Sequence, residues 1–131
     1  MDVRSWLEAY RRAWEEKDAD AAGGLFAEDA TYRSNIFEDP YEGREGVRQY
    51  WRDATSTQED VRVLMGDPFV DGERVAAEFW TTLRSDGAEI TLPGCMLLRF
   101  GPDGLCLALR EYWHVEQGRL EPPPGWGDRS P

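Results

Sequence analysis

The sequence predicts a single α+β domain in which three helices come first and a curved antiparallel or mixed sheet follows. The apolar residues of the N-terminal part recur at helical spacing, whereas apolar and polar side chains alternate from residue 61 to residue 117, as they do in strands. Turn signals divide the alternating part at Asp71-Gly72 and at Asp86-Gly87. Helices grouped before strands are typical of the α+β class, and 131 residues suit one core.

Three amphipathic segments predict the helices. Asp2 can cap the first helix, and either Asp18 or Asp20 can cap a short second one. A third helix is expected from residue 44 to residue 54, directly after Gly43. The positions that share an apolar face are Val3, Trp6, Leu7, Tyr10, Ala13 and Trp14 in the first helix, Ala21, Ala22, Leu25 and Phe26 in the second, and Val47, Tyr50, Trp51 and Ala54 in the third.

Five later segments have the pattern of strands. They run over residues 31–37, 61–65, 75–84, 90–100 and 105–117. Pro40 should end the first of them, because proline cannot donate to a ladder, and the fourth should bend at Pro93-Gly94. Residues 121–131 form a tail rich in Pro and Gly, from which Trp126 is expected to pack back on the body.

The charge of the chain excludes several classes of partner. The formal net charge of −11 disfavours nucleic acid and anionic membrane surfaces, because both are bound through Lys and Arg. No apolar run approaches the ~20 residues that a membrane span needs. The N-terminus has neither the basic region nor the apolar core of a signal peptide, so a cytoplasmic location is expected.

The cysteine and histidine content predicts chemistry without a metal or cofactor. Cys95 and Cys106 lie in separate apolar segments, and we expect both to be free thiols. Neither belongs to a Cys/His cluster, and His114 is the only histidine, so no metal site is expected. The Gly-rich loop that binds the phosphates of nucleotide cofactors is missing as well.

The most informative stretch runs from Leu25 to Tyr32 and is followed by Tyr41 to Trp51. The first stretch ends a helix and starts a strand, and the second is a Gly-led helix that carries aromatic residues. This order resembles the nuclear transport factor 2-like superfamily and its SnoaL-like polyketide-cyclase branch. The resemblance covers about Asp2 to Gln117. It implies a cone built around one pocket, formed by residues 1–120, with residues 121–131 as a separate tail.

Glu111 is the leading candidate for a catalytic acid or base. In the last strand Leu109, Glu111 and Trp113 share one face with Leu107, and the leucines should point to the core. A carboxyl group between a Leu and a Trp on the concave side is desolvated, which raises its pKa toward the range useful for acid/base work. In SnoaL-like cyclases a catalytic carboxylate lies in the last part of the sheet, and Glu111 is similar in place. The alternative is that Glu111 pairs with an Arg in a structural role.

Tyr10 lies on the apolar face of the first helix and is the second catalytic candidate. In the steroid isomerases that this chain resembles, a Tyr at the matching place donates a hydrogen bond to the substrate oxyanion. Their base position matches Ser34 here, and their protonated Asp position matches Met96. The chain should therefore not catalyse that isomerisation in their way. The alternative for Tyr10 is a core aromatic residue whose hydroxyl finds a partner.

The pocket implied by the fold is expected to have aromatic walls and a few hydroxyls, which suits a flat or fused-ring organic ligand. Tyr32 and Ser34 should share the inward face of the first strand and present their hydroxyls there. The expected substrate-binding residues are Trp14, Tyr32, Ser34, Tyr50, Trp51, Met96, Leu98 and Trp113.

Two further residues are alternative catalytic groups. Asp39 lies beside Pro40 in a loop near the expected mouth of the pocket. His114 and Tyr112 would turn inward, and Glu111 outward, if a bulge shifted the last strand by one residue.

These observations favour a small cofactor-free enzyme that acts on a cyclic or polyketide-like molecule by cyclisation, isomerisation or dehydration. Glu111 would serve as general acid or base, and Tyr10 with Tyr32 or Ser34 would donate to a developing oxyanion. A non-catalytic binder of a small molecule is one alternative, and an assembly subunit that uses the convex face of the sheet is another. Trp80 and Tyr112 should lie on that convex face, so a homodimer through it is expected.

Overall fold

The computed structural model describes residues 2–128 and confirms the α+β architecture. The helices are α1 (Val3–Glu15), α2 (Ala19–Gly23) and α3 (Gly43–Thr55). The strands are β1 (Phe26–Arg33), β2 (Tyr41–Glu42), β3 (Gln58–Met65), β4 (Phe69–Asp71), β5 (Arg74–Ser85), β6 (Ala88–Phe100), β7 (Cys106–Trp113) and β8 (Glu116–Gln117). They form one mixed sheet in the order β2-β1-β7-β6-β5-β3, on which β4 also pairs with β5 and β8 with β6.

The helices begin where the sequence predicts them, but α2 ends at Gly23. Leu25 and Phe26, expected on its apolar face, follow the helix, and Phe26 begins β1. The Asp2 carboxylate accepts a hydrogen bond from the Ser5 amide at 2.7 Å, which caps α1. Asp18, not Asp20, caps α2 by accepting from the Ala21 amide at 3.0 Å. The buried residues of α1 are Trp6, Leu7, Tyr10, Ala13 and Trp14, as the helical spacing predicts.

The first strand differs from the prediction at both ends. β1 begins at Phe26 and ends at Arg33, whereas the alternating pattern predicted residues 31–37. The chain turns after β1 because the Asn35 side chain accepts from the Phe37 amide and the Asn35 carbonyl accepts from the Glu38 amide. Residues 34–40 therefore form a loop at the end of the strand, next to the end of β7, where the Trp113 indole N–H donates to the Ser34 carbonyl.

The last strand is shorter than predicted and pairs in an unforeseen way. β1 and β7 run parallel, with Tyr32 opposite Leu109 and Arg33 opposite Arg110. A register shift occurs near Phe100, so that Cys106 lies opposite Phe100 and Ala108 opposite Arg99. The chain leaves the β7 ladder after Trp113 and resumes as β8, so the predicted strand over residues 105–117 is divided into two.

The inner face of the sheet packs against the helices around a cluster of aromatic rings. Trp6 stacks on Tyr10 with ring centres 5.4 Å apart, and Trp51 makes edge contacts with both Tyr10 and Trp14 at 5.5 Å. The rings that complete the cluster are Phe26, Tyr32, Phe79 and Phe100. Such edge-to-face pairs add about 0.5–1.5 kcal/mol each beyond the burial of their area.

The described part of the tail packs on the outer face of the sheet. The indole N–H of Trp80 donates to the Leu120 carbonyl at 2.9 Å, and the Trp126 ring makes an edge contact with Trp80 at 5.8 Å. The Thr91 hydroxyl donates to the Gly118 carbonyl at 2.8 Å and accepts from the Leu120 amide at 2.9 Å. These contacts confirm that Trp126 returns to the body; residues 129–131 of the predicted tail lie outside the described residues.

Candidate functional site

Glu111 occupies the inner face of β7 and is 8% exposed. It lies opposite Met96 of β6, and Leu109, two residues earlier on the same face, is buried as well. Burial raises the pKa of its carboxyl group to about 8, and a hydrogen bond from the Tyr32 side chain partly opposes this rise. In the described residues Glu111 forms no ion pair, and the guanidinium groups of Arg33 and Arg99 belong to the other face of the sheet.

Three tyrosines surround this carboxyl group. The hydroxyls of Tyr10 and Tyr32 are 2.9 Å apart and hydrogen-bonded, and both side chains are almost completely buried. Burial, and then the Glu111 charge, raise the pKa of Tyr10 and of Tyr32 well above the ordinary value. The same two causes raise the pKa of Tyr50, whose ring centre lies 5.0 Å from that of Tyr32. The phenols therefore stay protonated and act as hydrogen-bond donors.

Several predicted pocket walls belong to the packed core. Trp14 is buried, and its indole N–H donates to the Gln58 side chain at 2.9 Å. Met96 and Leu98 are buried on the inner face of β6. Trp51 is also buried, but its indole nitrogen has no hydrogen-bond partner among residues 2–128. A buried N–H without an acceptor is uncommon, since it loses water without compensation.

A cleft of about 650 Å³ lies where the 34–40 loop faces the end of β7. Glu111 contributes to its wall, so the residue belongs to both the cleft and the buried tyrosine cluster. Trp113 is 43% exposed and donates its indole N–H to the Ser34 carbonyl at 2.7 Å, which joins the loop to the strand. The remaining lining residues are Asn35, Ile36, Phe37, Glu78, Pro93, Gly94, Cys95, Tyr112, His114 and Trp126.

The two alternative catalytic residues lie apart from the tyrosine cluster. His114 is exposed, and its backbone amide donates to the Pro93 carbonyl. Asp39 is exposed in the loop after β1. The shift by one residue that would have turned His114 and Tyr112 inward does not occur, because the irregularity of β7 lies before Ala108. Glu111, Tyr10, Tyr32 and Tyr50 are thus brought together, and Ser34 adjoins Tyr50.

Sequence reasoning missed the loop residues Ile36 and Phe37, which were assigned to the end of a strand. Phe37 is 95% exposed at the cleft, although a strand position would have buried or paired it. The available signal was Asn35, since an Asn side chain that bonds the amide two residues later starts a turn.

Three other features bear on the chemistry of the site. Among residues 2–128 no group of His, Cys, Asp and Glu side chains is arranged to hold a metal ion. None of the helices in that range has the length and apolar character to cross a membrane. A larger groove of about 740 Å³ lies across the outer face of the sheet, and neither Glu111 nor the three tyrosines line it.

The comparisons with solved structures show the fold. A Catenulispora acidiphila protein with a ketosteroid isomerase-like fold, in complex with trimethylamine, is 24% identical with a TM-score of 0.76, covering 85% of this chain and 86% of that one. The epoxide hydrolase/cyclase-like enzyme SalBIII of salinomycin formation is 22% identical with a TM-score of 0.73, covering 85% and 89%. A computationally designed 17-OHP binder is 18% identical with a TM-score of 0.74, covering 89% and 97%.

The sequence comparisons decide the family. No curated protein matches the chain significantly. The family model of the SnoaL-like domain matches residues 7–108, which is most of the chain and includes Tyr10, Tyr32 and the greater part of the sheet. The chain therefore belongs to the SnoaL-like domain family.

Proposed function

We propose that this protein is a cofactor-free enzyme that moves a proton on an apolar cyclic or polyketide-like substrate, with Glu111 as the acid/base group. One observation carries the proposal: a buried carboxyl group with a pKa of about 8 contacts a hydrogen-bonded pair of buried tyrosines. Catalytic acids are tuned by burial toward the working pH in this way. Cyclisation, isomerisation and dehydration all need such a group beside a carbonyl.

At neutral pH the raised pKa keeps Glu111 mostly protonated, so the reaction begins when its carboxyl group donates a proton to the substrate. In a dehydration, the carboxyl proton goes to the leaving hydroxyl, the C–O bond breaks and water departs. The carboxylate then takes a proton from the neighbouring carbon, the new double bond forms, and Glu111 returns to its starting state. The same donation to a carbonyl oxygen would start an isomerisation or an aldol-type cyclisation.

The tyrosines position the carboxyl group. Tyr32 contacts both Tyr10 and Glu111. These hydrogen bonds fix the orientation of the Glu111 carboxyl group without adding a charge. The unpaired indole N–H of Trp51 lies in the same aromatic cluster, with its ring 5.5 Å from that of Tyr10. An oxygen of the substrate would supply the acceptor that this N–H lacks.

The kind of substrate follows from the surroundings. The groups near Glu111 are aromatic rings and hydroxyls, which suit a ring-containing molecule with one or two oxygens. Two proteins of the same fold support a ring-containing substrate, since one is a 17-OHP binder and the other takes part in forming a pyran ring.

The test is a thermal-shift screen with polycyclic ketones, steroids and polyketide mimics, followed by turnover assays on the hits. We compare wild type with Glu111→Gln and with Glu78→Gln, because Glu78 lines the same cleft but lies on the outer face of the sheet. One chemical class should stabilise all three proteins, and only Glu111→Gln should lose turnover, by at least a hundredfold for a general acid. Binding without any chemical change in wild type would show a binding protein instead.

The second part of the proposal is a homodimer through the convex, outer face of the sheet at its Tyr112 end, which lies outside the groove of about 740 Å³. Trp80 is partly covered by Trp126 of the same chain, which leaves Tyr112 as the exposed member of the expected pair. Tyr112 is 45% exposed, and a partner would cover its ring. Sedimentation of wild type against Tyr112→Asp tests this, and a wild-type monomer would refute it. A cytoplasmic location stays a prediction from the sequence.

A further inference from the structure

The groove of about 740 Å³ on the outer face of the sheet has an apolar end and a cationic end. One row of cross-strand neighbours runs Phe69, Ala76, Leu97, Arg110, Arg33 across β4, β5, β6, β7 and β1. The next row runs Arg74, Arg99, Ala108, Thr31. In the first row the apolar side chains lie on β4, β5 and β6, which is the apolar end of the groove, and Arg110 and Arg33 lie on β7 and β1. In the second row Arg74 and Arg99 lie beside them on β5 and β6.

Two of these guanidinium groups have no counter-charge within the described part of the chain. Arg99 and Arg110 are exposed diagonal neighbours on β6 and β7, a spacing of roughly 7–8 Å between Cα atoms. Among residues 2–128 neither side chain takes part in an ion pair or a hydrogen bond, whereas Arg33 donates to the Glu38 carbonyl and Arg74 lies 3.5 Å from Asp71. The chain has 26 acidic residues against 15 basic ones, so two neighbouring unpaired arginines are unexpected.

The side chains at the apolar end of the groove are exposed, as the two arginines are. Phe69 is 56% exposed and Val70 is 52% exposed, and both lie on the edge strand β4. From Phe69 to Leu97 the row crosses two strand spacings, about 10 Å in all. That length fits an alkyl chain of about eight to ten carbons, and the volume is that of an ordinary ligand site.

We propose that this groove binds a single-chain anionic amphiphile, with its alkyl chain on Phe69, Ala76 and Leu97 and its anionic head on Arg99 and Arg110. Charge decides between the possible occupants. A second copy placed about a two-fold axis in this groove would bring the unpaired arginines toward their own equivalents, which is repulsive. A nucleic acid would have to approach a chain with a net charge of −11. The site is separate from the proposed catalytic one.

Calorimetric titration with decanoate below its micelle concentration tests the proposal. We expect one molecule of decanoate per chain, with affinity that falls as salt rises and with weaker binding of decanol, which lacks the charge. Arg99→Gln with Arg110→Gln should weaken binding at least tenfold. The control pair, Arg62→Gln with Arg119→Gln, removes the same charge from exposed positions outside the groove and should bind like wild type.

Two further variants separate this site from the other proposals. Ala76→Phe should fill the apolar end and weaken decanoate binding with the charges intact, whereas Glu111→Gln should leave it unchanged. Circular dichroism establishes that each variant is folded. The proposal is overturned by absence of saturable binding to wild type, by equal binding to the Arg99/Arg110 double variant, or by loss of binding in Glu111→Gln. A wild-type dimer that dissociates in the double variant would also overturn it, because the groove would then be an interface between copies.

Discussion

At the scale of single residues, the buried carboxyl group and its tyrosines join β7 with α1 and β1, which lie apart in the chain. Alternation along β7 predicts that Glu111 and Leu109 face the core, and the structure has both there. The bond between Tyr10 and Tyr32 joins residues 22 positions apart, and it depends on how α1 lies against β1. No local pattern contains that information. For the same reason Trp14 and Trp51, expected to line a pocket, turn out to pack on each other.

The raised pKa of Glu111 makes the stability of the fold depend on pH. Below about pH 4.5 the carboxyl group is protonated in both the folded and the unfolded chain, so it contributes no pH dependence. As pH rises toward 8, the unfolded chain releases this proton while the folded protein retains it, and the folded state is progressively disfavoured. At about 1.4 kcal/mol per pKa unit the full loss is about 5 kcal/mol.

Urea unfolding of wild type and Glu111→Gln between pH 4 and pH 9 measures this effect. The free energy of unfolding of wild type relative to the variant should fall between about pH 4.5 and 8 and then level off. Glu38→Gln, at an exposed loop position, serves as the control and should track wild type. A constant difference between wild type and Glu111→Gln would show that the carboxyl group is not desolvated.

The two buried tyrosines should contribute unequally to stability. Tyr32→Phe removes a partner from both Tyr10 and Glu111, whereas Tyr10→Phe leaves the contact between Tyr32 and Glu111 in place. We expect a loss of about 2 kcal/mol for Tyr32→Phe and about 1 kcal/mol for Tyr10→Phe. The double variant should cost less than the sum, because both changes remove one shared bond. Additive losses in denaturant unfolding would argue that the hydroxyls do not interact.

At the scale of elements, helices were predictable and strand ends were not. A helix carries its caps and its apolar face in its own sequence, as Asp2 and Asp18 show. The ends of a strand depend on pairing with segments that lie far away in the chain. β1 begins as early as Phe26 because Phe26 pairs with Cys106 of β7. The short strand β4 and the parallel pairing of β1 with β7 were missed for this reason, since alternation identifies a face and not a partner.

Gly94 of β6 offers a test at this scale. Gly94 lies opposite Phe79, and a methyl group at Gly94 would overlap the Phe79 ring, which is held in the core. Gly94→Ala should therefore destabilise the protein by about 1–3 kcal/mol, as overpacking does. Phe79→Leu should rescue part of this loss when the two changes are combined. Gly46→Ala, where a methyl group makes only ordinary contacts in α3, is the control and should be neutral or stabilising.

At the scale of the whole molecule, the C-terminal segment is part of the fold. It crosses the outer face, where the Asp67 amide donates to the Gly127 carbonyl at 2.7 Å and Gly66 packs closely on Gly127. Trp126 also lines the cleft that Glu111 borders. The sequence predicted this return of Trp126, although the Pro and Gly content of residues 121–131 indicated no regular structure there.

Trp126→Ala should lower the free energy of unfolding by about 1–2 kcal/mol, because the ring covers Trp80 while remaining partly exposed itself. Thermal and urea unfolding measure the loss, and Val115→Ala, a truncation at a half-exposed position outside this contact, should change stability little. An unchanged stability of Trp126→Ala would mean that the tail does not hold to the sheet in solution.

The aromatic cluster between the helices and the inner face of the sheet also determines how the protein responds to light. The rings of Trp14 and Trp51 lie 5.5 Å apart at an angle of 71°, and aromatic rings held in fixed packing give near-ultraviolet dichroism in the folded state. Trp80 and Trp126 form a second coupled pair on the other side of the sheet, 5.8 Å apart. A molecule bound in the cleft beside Glu111 meets Trp126 and therefore perturbs the second pair, whereas the first pair lies in the buried core. Each indole pair thus acts as a built-in optical label for its own side of the molecule.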